Sequence, residues 1–219
     1  TTVVDCLSIL DAQATSGRVV RVGYNRRFSP MLQAMRGFVG SGQKVFTQRV
    51  STGDIGQHWS NTAEEGGRLL GEGVHFFDLS NWMMDAFPTT VSAQFVGKAD
   101  PLNPNVSISL GYPEGSVSTI VYTSLGSPSG GKEYFELFGN GRSATVDDYK
   151  SIETYGSGRS IRRPRKGEKG QAAAMNEFVT ACLSGADSGG ANAIAGLWAT
   201  AIYEAALESG KTGREIDLN

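Results

Sequence analysis

The sequence has few of the residues that hold metals or build disulfide frameworks. Its 219 residues include only two cysteines and two histidines. No His/Cys cluster has the spacing of a zinc site, so we predict no metal site. Cys6 and Cys182 lie far apart, and each falls in a helical pattern beside apolar residues. We therefore expect two buried, unreactive thiols and a protein of the cytoplasm.

Excess charge and long apolar runs are also missing. The net charge is −2, with 19% charged and 39% hydrophobic residues. This balance favours a folded globular chain and gives no reason to expect nucleic-acid binding. No run of about eighteen apolar residues occurs, so we predict no membrane span.

The glycine motifs that bind dinucleotides or nucleotide triphosphates are absent as well. No G-x-G-x-x-G follows a strand, and there is no Walker loop. Gly139-Asn140-Gly141 is typical of a hairpin turn instead. The sequence itself therefore offers no cradle for a pyrophosphate.

The N-terminal pattern predicts a helix that leads into a strand. Val3, Leu7 and Leu10 recur at helical spacing, Gly17 fits a helix end, and residues 18–23 alternate as a short strand. A helix followed by a strand is half of a βαβ unit. Pro30 then begins a second helix, which ends at residues 40–42.

The remaining pattern predicts an α+β fold. Strands are expected at about 44–51, 90–98, 106–110, 116–124, 132–139 and 142–147, a loop at 157–170, and helices at about 171–184 and 192–209. Short turns between strands imply a mostly antiparallel, open sheet covered by helices. It is preceded by a remnant of an α/β domain.

The candidate acid/base lies in Gly66-Gly67-Arg68-Leu69-Leu70-Gly71-Glu72-Gly73-Val74-His75-Phe76-Phe77-Asp78. This segment predicts a glycine-led helix that runs to about residue 86. Positions 71, 75, 78 and 82 would share one face, so Asp78 could orient the His75 imidazole as a general acid/base requires. The alternative is a core histidine that is hydrogen-bonded to a neighbour.

A second candidate site is Gly23-Tyr24-Asn25-Arg26-Arg27-Phe28-Ser29-Pro30, directly after the predicted strand. Asn25, Arg26 and Arg27 could bind an anionic or hydroxyl-rich ligand there. Adjacent residues of an extended segment point opposite ways, so we expect one arginine at most to face a site. Alternatively, one arginine binds helix carbonyls and the other is solvated.

Each of two further stretches could bind a ligand or could have no role in binding. His58 and Trp59 lie in the loop before the glycine motif, where they could wall a sugar-like substrate or simply pack together. The basic run at 159–166 could attract phosphate, although such runs are more often solvated loops.

Taken in this order, the two constellations resemble the glucose-fructose oxidoreductase/inositol dehydrogenase/rhizopine-catabolism (GFO/IDH/MocA) family. Residues 23–30 look like that family's crossing from the Rossmann domain into the second domain, and 66–75 are similar to its G-G-x-L-x-D-x-G-x-H signature. Residues 136–141 match its sheet strand and hairpin, and Lys169-Gly170 precedes the penultimate helix as in many members. The closest resemblance is to the C-terminal part of bi-domain oxidoreductases with an alcohol-dehydrogenase-like first half.

The resemblance implies that residues 1–28 are the end of a dinucleotide-binding Rossmann domain. It implies that residues 29–219 form a substrate and oligomerisation domain. It implies an NAD(P)-dependent oxidoreductase, using NAD or NADP on a sugar, polyol or nucleotide-sugar, and a homo-oligomer through the open sheet face. The glycine fingerprint and the catalytic lysine would lie before Thr1, so this piece alone is expected to be inactive. A non-catalytic ligand-binding or oligomerisation module is the alternative.

The resemblance and the residue patterns together give the expected site residues. His75 matches the family histidine, while the aspartate four residues earlier falls at Gly71. Glu72 is next in sequence and is the replacement candidate, although it is rotated by about 100° on an α-helix. We expect catalytic roles for His75, Glu72 and Asp78, substrate binding by Asn25, Arg26, Arg27 and Trp59, and cofactor binding by Asn25 and Arg27.

Overall fold

The computed structural model describes residues 1–54, 62, 64–156, 158–164, 167–185 and 190–218. Five α-helices are present in this part of the chain: α1 (Val3–Ser16), α2 (Pro30–Val39), α3 (Val74–Met84), α4 (Gln171–Ser184) and α5 (Ala193–Thr212). A capping box between Thr2 and Asp5 starts α1, and Gly17 ends it in the left-handed conformation. The helices predicted over these segments are confirmed.

The strands of the described residues form one nine-stranded sheet. They are β1 (Val45–Ser51), β2 (Thr90–Phe95), β3 (Val106–Gly111), β4 (Val117–Thr123), β5 (Glu133–Gly139), β6 (Arg142–Asp147), β7 (Ser151–Tyr155), β8 (Arg159–Arg162) and β9 (Ile216–Asp217). Their order is β8-β7-β6-β5-β1-β4-β3-β2-β9. Every pair is antiparallel except β1 with β4. The predicted α+β class with a mostly antiparallel open sheet is confirmed.

Helices cover one face of the sheet and leave part of the other face apolar and exposed. Helix α5 packs on β2, α2 on β6 and α3 on β1. Phe46, Tyr122 and Phe135 point into the core beneath them. On the opposite face, Val45 pairs in register with both Val117 and Phe138, and all three side chains are exposed.

Three local predictions are wrong. Residues 18–23 are not a strand, because no strand among the described residues pairs with them and a strand depends on its neighbours. Part of the predicted loop at 157–170 is strand β8, which pairs with β7. Cys6 is buried as expected, but Cys182 is exposed because it lies on the outer side of α4.

No helix in the described ranges is both long and apolar enough to cross a membrane. Likewise, no group of three or more His, Cys, Asp or Glu side chains that could hold a metal ion occurs among the described residues.

Candidate functional site

The glycine motif folds into a widened helical turn. Gly66 and Gly67 both have positive φ, at 75° and 77°. A Cβ on Gly67 would overlap the Pro101 carbonyl oxygen, so this position requires glycine. Residues Leu69–Gly73 then form a π-helix that leads directly into α3. The prediction of a regular α-helix from the start is wrong here, and the shared face assigned to Gly71 and His75 does not hold across the π-turn.

His75 lies on the wall of a cavity of about 500 Å³, together with Tyr24 and Gly71. The Tyr24 ring meets the imidazole edge-on, with ring centroids 5.3 Å apart. The buried Nδ1 of His75 has no hydrogen-bond partner among the described residues. Burial, and then the positive charge of Arg26, lower the pKa of His75 to about 4. The imidazole is therefore neutral at pH 7.

Asp78 does not orient His75, so the predicted pairing of these two residues is wrong. Its two carboxylate oxygens instead accept hydrogen bonds from Arg27. Nε donates to Oδ2 at 3.1 Å, and Nη2 donates to Oδ1. The short 3₁₀-helix Asn25–Phe28 packs on α3, and this contact places the Arg27 guanidinium beside the Asp78 carboxylate. Burial raises the pKa of Asp78 to about 6, although Arg27 opposes the rise.

Glu72 lies at the centre of a polar cluster beside His75. Its carboxylate accepts hydrogen bonds from Tyr122 Oη at 2.6 Å, from Lys132 Nζ and from Arg68. Burial alone would raise the pKa of Glu72, but the Lys132 and Tyr122 hydrogen bonds outweigh burial and hold the pKa below its usual value. Glu72 is therefore an ionised acceptor at pH 7. Lys132 is the partner that reaches solvent, with a side chain 36% exposed.

A second carboxylate, Glu133, anchors the adjacent half of the cluster. Arg26 binds it with two hydrogen bonds of 2.9 Å, and Tyr149 Oη and Lys169 Nζ donate at 2.9 and 2.7 Å. The Arg26 guanidinium also lies over the Phe76 ring and 3.8 Å from Glu72. Burial favours a neutral Glu133, yet Arg26 and Lys169 lower its pKa to about 2. Arg26 thus links the two carboxylates of the cluster.

The predicted ligand-binding residues near the second constellation have other partners. Arg26 and Arg27 are both committed to buried ion pairs, with side chains only 8% and 12% exposed. The alternative of a solvated arginine is wrong, and a 3₁₀-helix replaces the expected extended segment. Arg27 also lines a cavity of about 540 Å³, so the prediction that one arginine at most faces a site stays a prediction. Asn25 donates to the Lys169 carbonyl at 2.7 Å. Trp59 and His58 lie outside the described residues.

The structure thus brings His75, Glu72 and Arg26 into one region, while Arg27 pairs with Asp78. The sequence interpretation assigned no site role to Tyr24, Arg68, Tyr122, Lys132, Glu133, Tyr149 and Lys169. Glu133 begins an ordinary alternating strand and Lys132 directly precedes it, so no local motif distinguishes them. Their signal is tertiary, since β5 is the strand that carries Glu133 into the core beneath Arg26.

Comparison with known proteins gives the fold a context. No family model matches the chain, and no curated protein matches it. Among solved structures, aldose-aldose oxidoreductase from Caulobacter crescentus, in complex with glycerol, shares 21% identity at a TM-score of 0.79, over 99% of this chain and 69% of that chain. An oxidoreductase domain protein from Kribbella flavida shares 16% at a TM-score of 0.84, over 100% and 71%.

An inositol dehydrogenase homologue from Azotobacter vinelandii, in complex with NAD⁺, shares 15% identity at a TM-score of 0.83, over 99% of this chain and 69% of that chain. At these identities the likeness establishes the fold. The resemblance found in the sequence is confirmed at that level: the chain has the fold of the C-terminal part of the glucose-fructose oxidoreductase/inositol dehydrogenase-type oxidoreductases.

Proposed function

We propose that this chain is the substrate-binding part of an NAD(P)-dependent oxidoreductase that acts on a sugar, polyol or nucleotide-sugar hydroxyl or carbonyl. In this proposal residues 1–28 end the nucleotide-binding domain, residues 29–219 form the substrate domain, and the enzyme works in the cytoplasm. The observation that carries the proposal is His75: a neutral imidazole on a cavity wall, beside a cluster of two carboxylates, in a fold shared with oxidoreductases.

The residues present fit the substrate better than they fit the dinucleotide. The unpartnered, buried Nδ1 of His75 leaves the ring with hydrogen-bonding capacity that no described protein group uses. By contrast, no glycine-rich turn in the described ranges follows a strand into a helix in the manner of a pyrophosphate site. We therefore assign the cofactor's phosphates to a part of the protein outside these residues.

The chemistry that nicotinamide supplies when bound is acceptance or donation of a hydride at the substrate carbon. For alcohol oxidation, His75 accepts the hydroxyl proton as the C–H hydride leaves, and a carbonyl results. The negative charges of Glu72 and Glu133 favour the imidazolium that forms, while Arg26 and Lys132 oppose it. For carbonyl reduction, the same proton returns to the oxygen.

In this proposal Glu72 positions other side chains and does not itself exchange a proton with the substrate. Because its oxygens already accept from Tyr122, Lys132 and Arg68, it is poorly placed to exchange a proton with substrate. It holds Lys132 at the exposed edge of the cluster, where the ammonium can donate a hydrogen bond to a substrate oxygen. In this proposal Glu72 is a positioning residue, which replaces the direct acid/base role expected from the sequence.

A screen of the complete gene product tests the proposal. Purified protein is incubated with NAD⁺ or NADP⁺ and a panel of aldoses, polyols and nucleotide-sugars, and formation of the reduced cofactor is followed at its absorbance. We expect turnover with at least one compound. Absence of cofactor reduction with every compound and with both cofactors, together with no oxidation of NADH or NADPH by the corresponding carbonyl compounds, would contradict the proposal.

The 219-residue chain alone provides a second test. We expect no NADH or NADPH binding in titration calorimetry, because the pyrophosphate site is assigned elsewhere. Binding with a micromolar Kd would mean that this chain holds the cofactor itself and that the assignment is wrong.

The alternative function is a non-catalytic oligomerisation module, and one observation favours it. Val45, Val117 and Phe138 are neighbours on the uncovered face of the sheet, with 46%, 37% and 40% exposure. Such a contiguous apolar patch is typical of a homo-oligomer interface. Sedimentation velocity compares the wild type with Phe138→Lys, and with Leu125→Lys on an exposed loop as the control. Oligomers lost only in Phe138→Lys, together with no turnover in the screen, would favour this alternative.

A further inference from the structure

A second cavity, separate from the His75 site, lies at the end of α3 and the start of β1. Its volume is about 710 Å³, within the range of small-molecule sites. Its walls come from the end of α2, the loop at 40–43, the end of α3 and the turn between β3 and β4. None of the residues discussed above as part of the His75 cluster lines it.

Lys44 is the distinctive residue of this cavity. It is only 6% exposed, and none of the described residues forms a hydrogen bond or ion pair with its ammonium. Its stem passes over Gly139, where a Cβ would come within 3.2 Å of Lys44 Cγ. Its backbone is fixed on both sides, since Lys44 N–H donates to Ser116 Oγ and the Lys44 carbonyl accepts from Val117 N–H. A lysine that is this little exposed and has no counter-ion among the described residues is unusual. Its Nζ is not among the buried side-chain atoms that lack a partner, so the ammonium reaches the open space of the cavity.

A second cation faces the same cavity. Arg36, in the last turn of α2, lies over the Trp82 ring at 4.7 Å and pairs with Asp85 at 3.0 Å. Asp85 is 82% exposed on its side-chain atoms, so this ion pair is easily exchanged for another partner. The cavity therefore presents one unpaired and one loosely paired cation beside an aromatic wall.

The acidic side chains around the cavity do not neutralise Lys44. Asp85 and Glu114 favour its charged form, but burial and the repulsion from Arg36 outweigh them and lower the pKa of Lys44. An anion placed between Lys44 and Arg36 would relieve that repulsion and provide the missing counter-ion. Gln33, Gln43 and Ser116 add neutral hydrogen-bonding groups to the lining.

We propose that the cavity bounded by Lys44, Arg36 and Trp82 is a binding site for a small organic oxyanion, that is, a polar molecule carrying a phosphate or carboxylate group. Lys44 provides a positive charge on the cavity wall, Arg36 exchanges Asp85 for the ligand, and Trp82 packs against the ligand's apolar face. The site goes beyond the proposed oxidoreductase function and does not depend on it.

The test is titration calorimetry on the 219-residue chain in low-salt buffer, with inorganic phosphate, glucose 6-phosphate and citrate as separate probes and neutral glucose as the reference. We expect saturable binding of at least one anion and none of glucose. Lys44→Met should weaken that binding by about tenfold or more, the usual effect of losing a hydrogen bond to a charged group. Lys98→Met, at an exposed lysine on another loop, should leave it unchanged.

Two outcomes overturn the proposal: no saturable binding of any of the three anions, or equal binding by the wild type and Lys44→Met. If Lys44→Met fails to fold, Arg36→Gln replaces it and should also weaken binding. In the wild type, mass spectrometry after acetylation gives an independent reading, since the bound anion should slow modification of Lys44 and not of Lys98. Unchanged Lys44 modification in the presence of a bound anion would place that anion elsewhere.

Discussion

His75 is kept neutral by its surroundings, and this has a consequence for stability. Its pKa is about 4 in the folded chain, against an ordinary value of about 6.5 in the unfolded chain. Between those values the unfolded state binds a proton that the folded state does not. The free energy of unfolding should therefore fall as pH decreases through this window, by up to about 1.4 kcal/mol per pH unit from this group.

Replacing His75 tests that consequence. In His75→Gln this contribution is removed, so stability should decline less than in the wild type between about pH 6.5 and pH 4. Asp78 acts in the opposite direction, because its raised pKa of about 6 favours the folded state at low pH, and it is present in both proteins. Urea unfolding at four pH values measures the difference. Parallel curves for the two proteins would show that His75 is not a buried neutral imidazole.

The Arg26–Glu133 pair is expected to be a major determinant of stability. Glu133→Gln leaves the buried guanidinium of Arg26 and the Lys169 ammonium without their carboxylate. Breaking a buried pair by removing one partner costs about 3–5 kcal/mol. Chemical unfolding should show a loss of this size. Glu153→Gln, which removes the partner of exposed Arg159, is the control and should have little effect. Equal losses in the two variants would contradict the account.

At the scale of elements, the turn before α3 depends on a glycine that no other residue can replace. Gly67 and Gly97 share a φ of +77°, but only at Gly67 would a Cβ meet the chain, at Pro101. Gly97→Ala should cost about 1–2 kcal/mol, from left-handed strain alone. Gly67→Ala should cost clearly more, because overlap with the backbone adds to the strain. Thermal unfolding of the two variants measures the difference, and similar losses would mean that the Pro101 contact is not restrictive.

Elements with a strong periodic pattern were predictable from the sequence, and those that depend on partners were not. Helices α1, α2, α4 and α5 and the alternating strand β3 follow from spacing alone. Residues 18–23 have the composition of a strand but no neighbour to pair with among the described residues. Strand β8 has a basic, glycine-flanked sequence that suggests a loop, yet it pairs with β7. The π-helix at Leu69–Gly73 has no simple sequence period.

The candidate site divides in the same way. His75 is identified by its glycine setting, and Glu72 by its place in the motif. The partners that define their chemistry come from distant segments: Tyr122 from β4, and Lys132 and Glu133 at the start of β5. Sequence spacing did not predict the partner of Asp78. A separation of three residues on a helix places Asp78 near His75, but Asp78 accepts its hydrogen bonds from Arg27.

At the scale of the whole molecule, the fold and the site suggest that substrate binding and cofactor binding belong to different parts of the protein. The chain covers about seventy per cent of each solved oxidoreductase with which it was compared, at 69%, 71% and 69%. It holds a histidine cavity and a polar cluster, while the described residues provide no pyrophosphate turn. The proposal therefore assigns substrate recognition and proton transfer to this chain, and cofactor binding to residues beyond it.

The steady-state rate of cofactor reduction by the complete gene product, measured for the wild type and His75→Gln, tests this account most directly. With the substrate found in the screen, kcat should fall by about 10²–10⁴-fold in His75→Gln, the usual contribution of a general acid/base. Glu153→Gln, at the exposed Arg159 pair, should retain the wild-type rate. A folded His75→Gln protein with an unchanged kcat would contradict the account, because His75 would then be a core residue and not the group that transfers the proton.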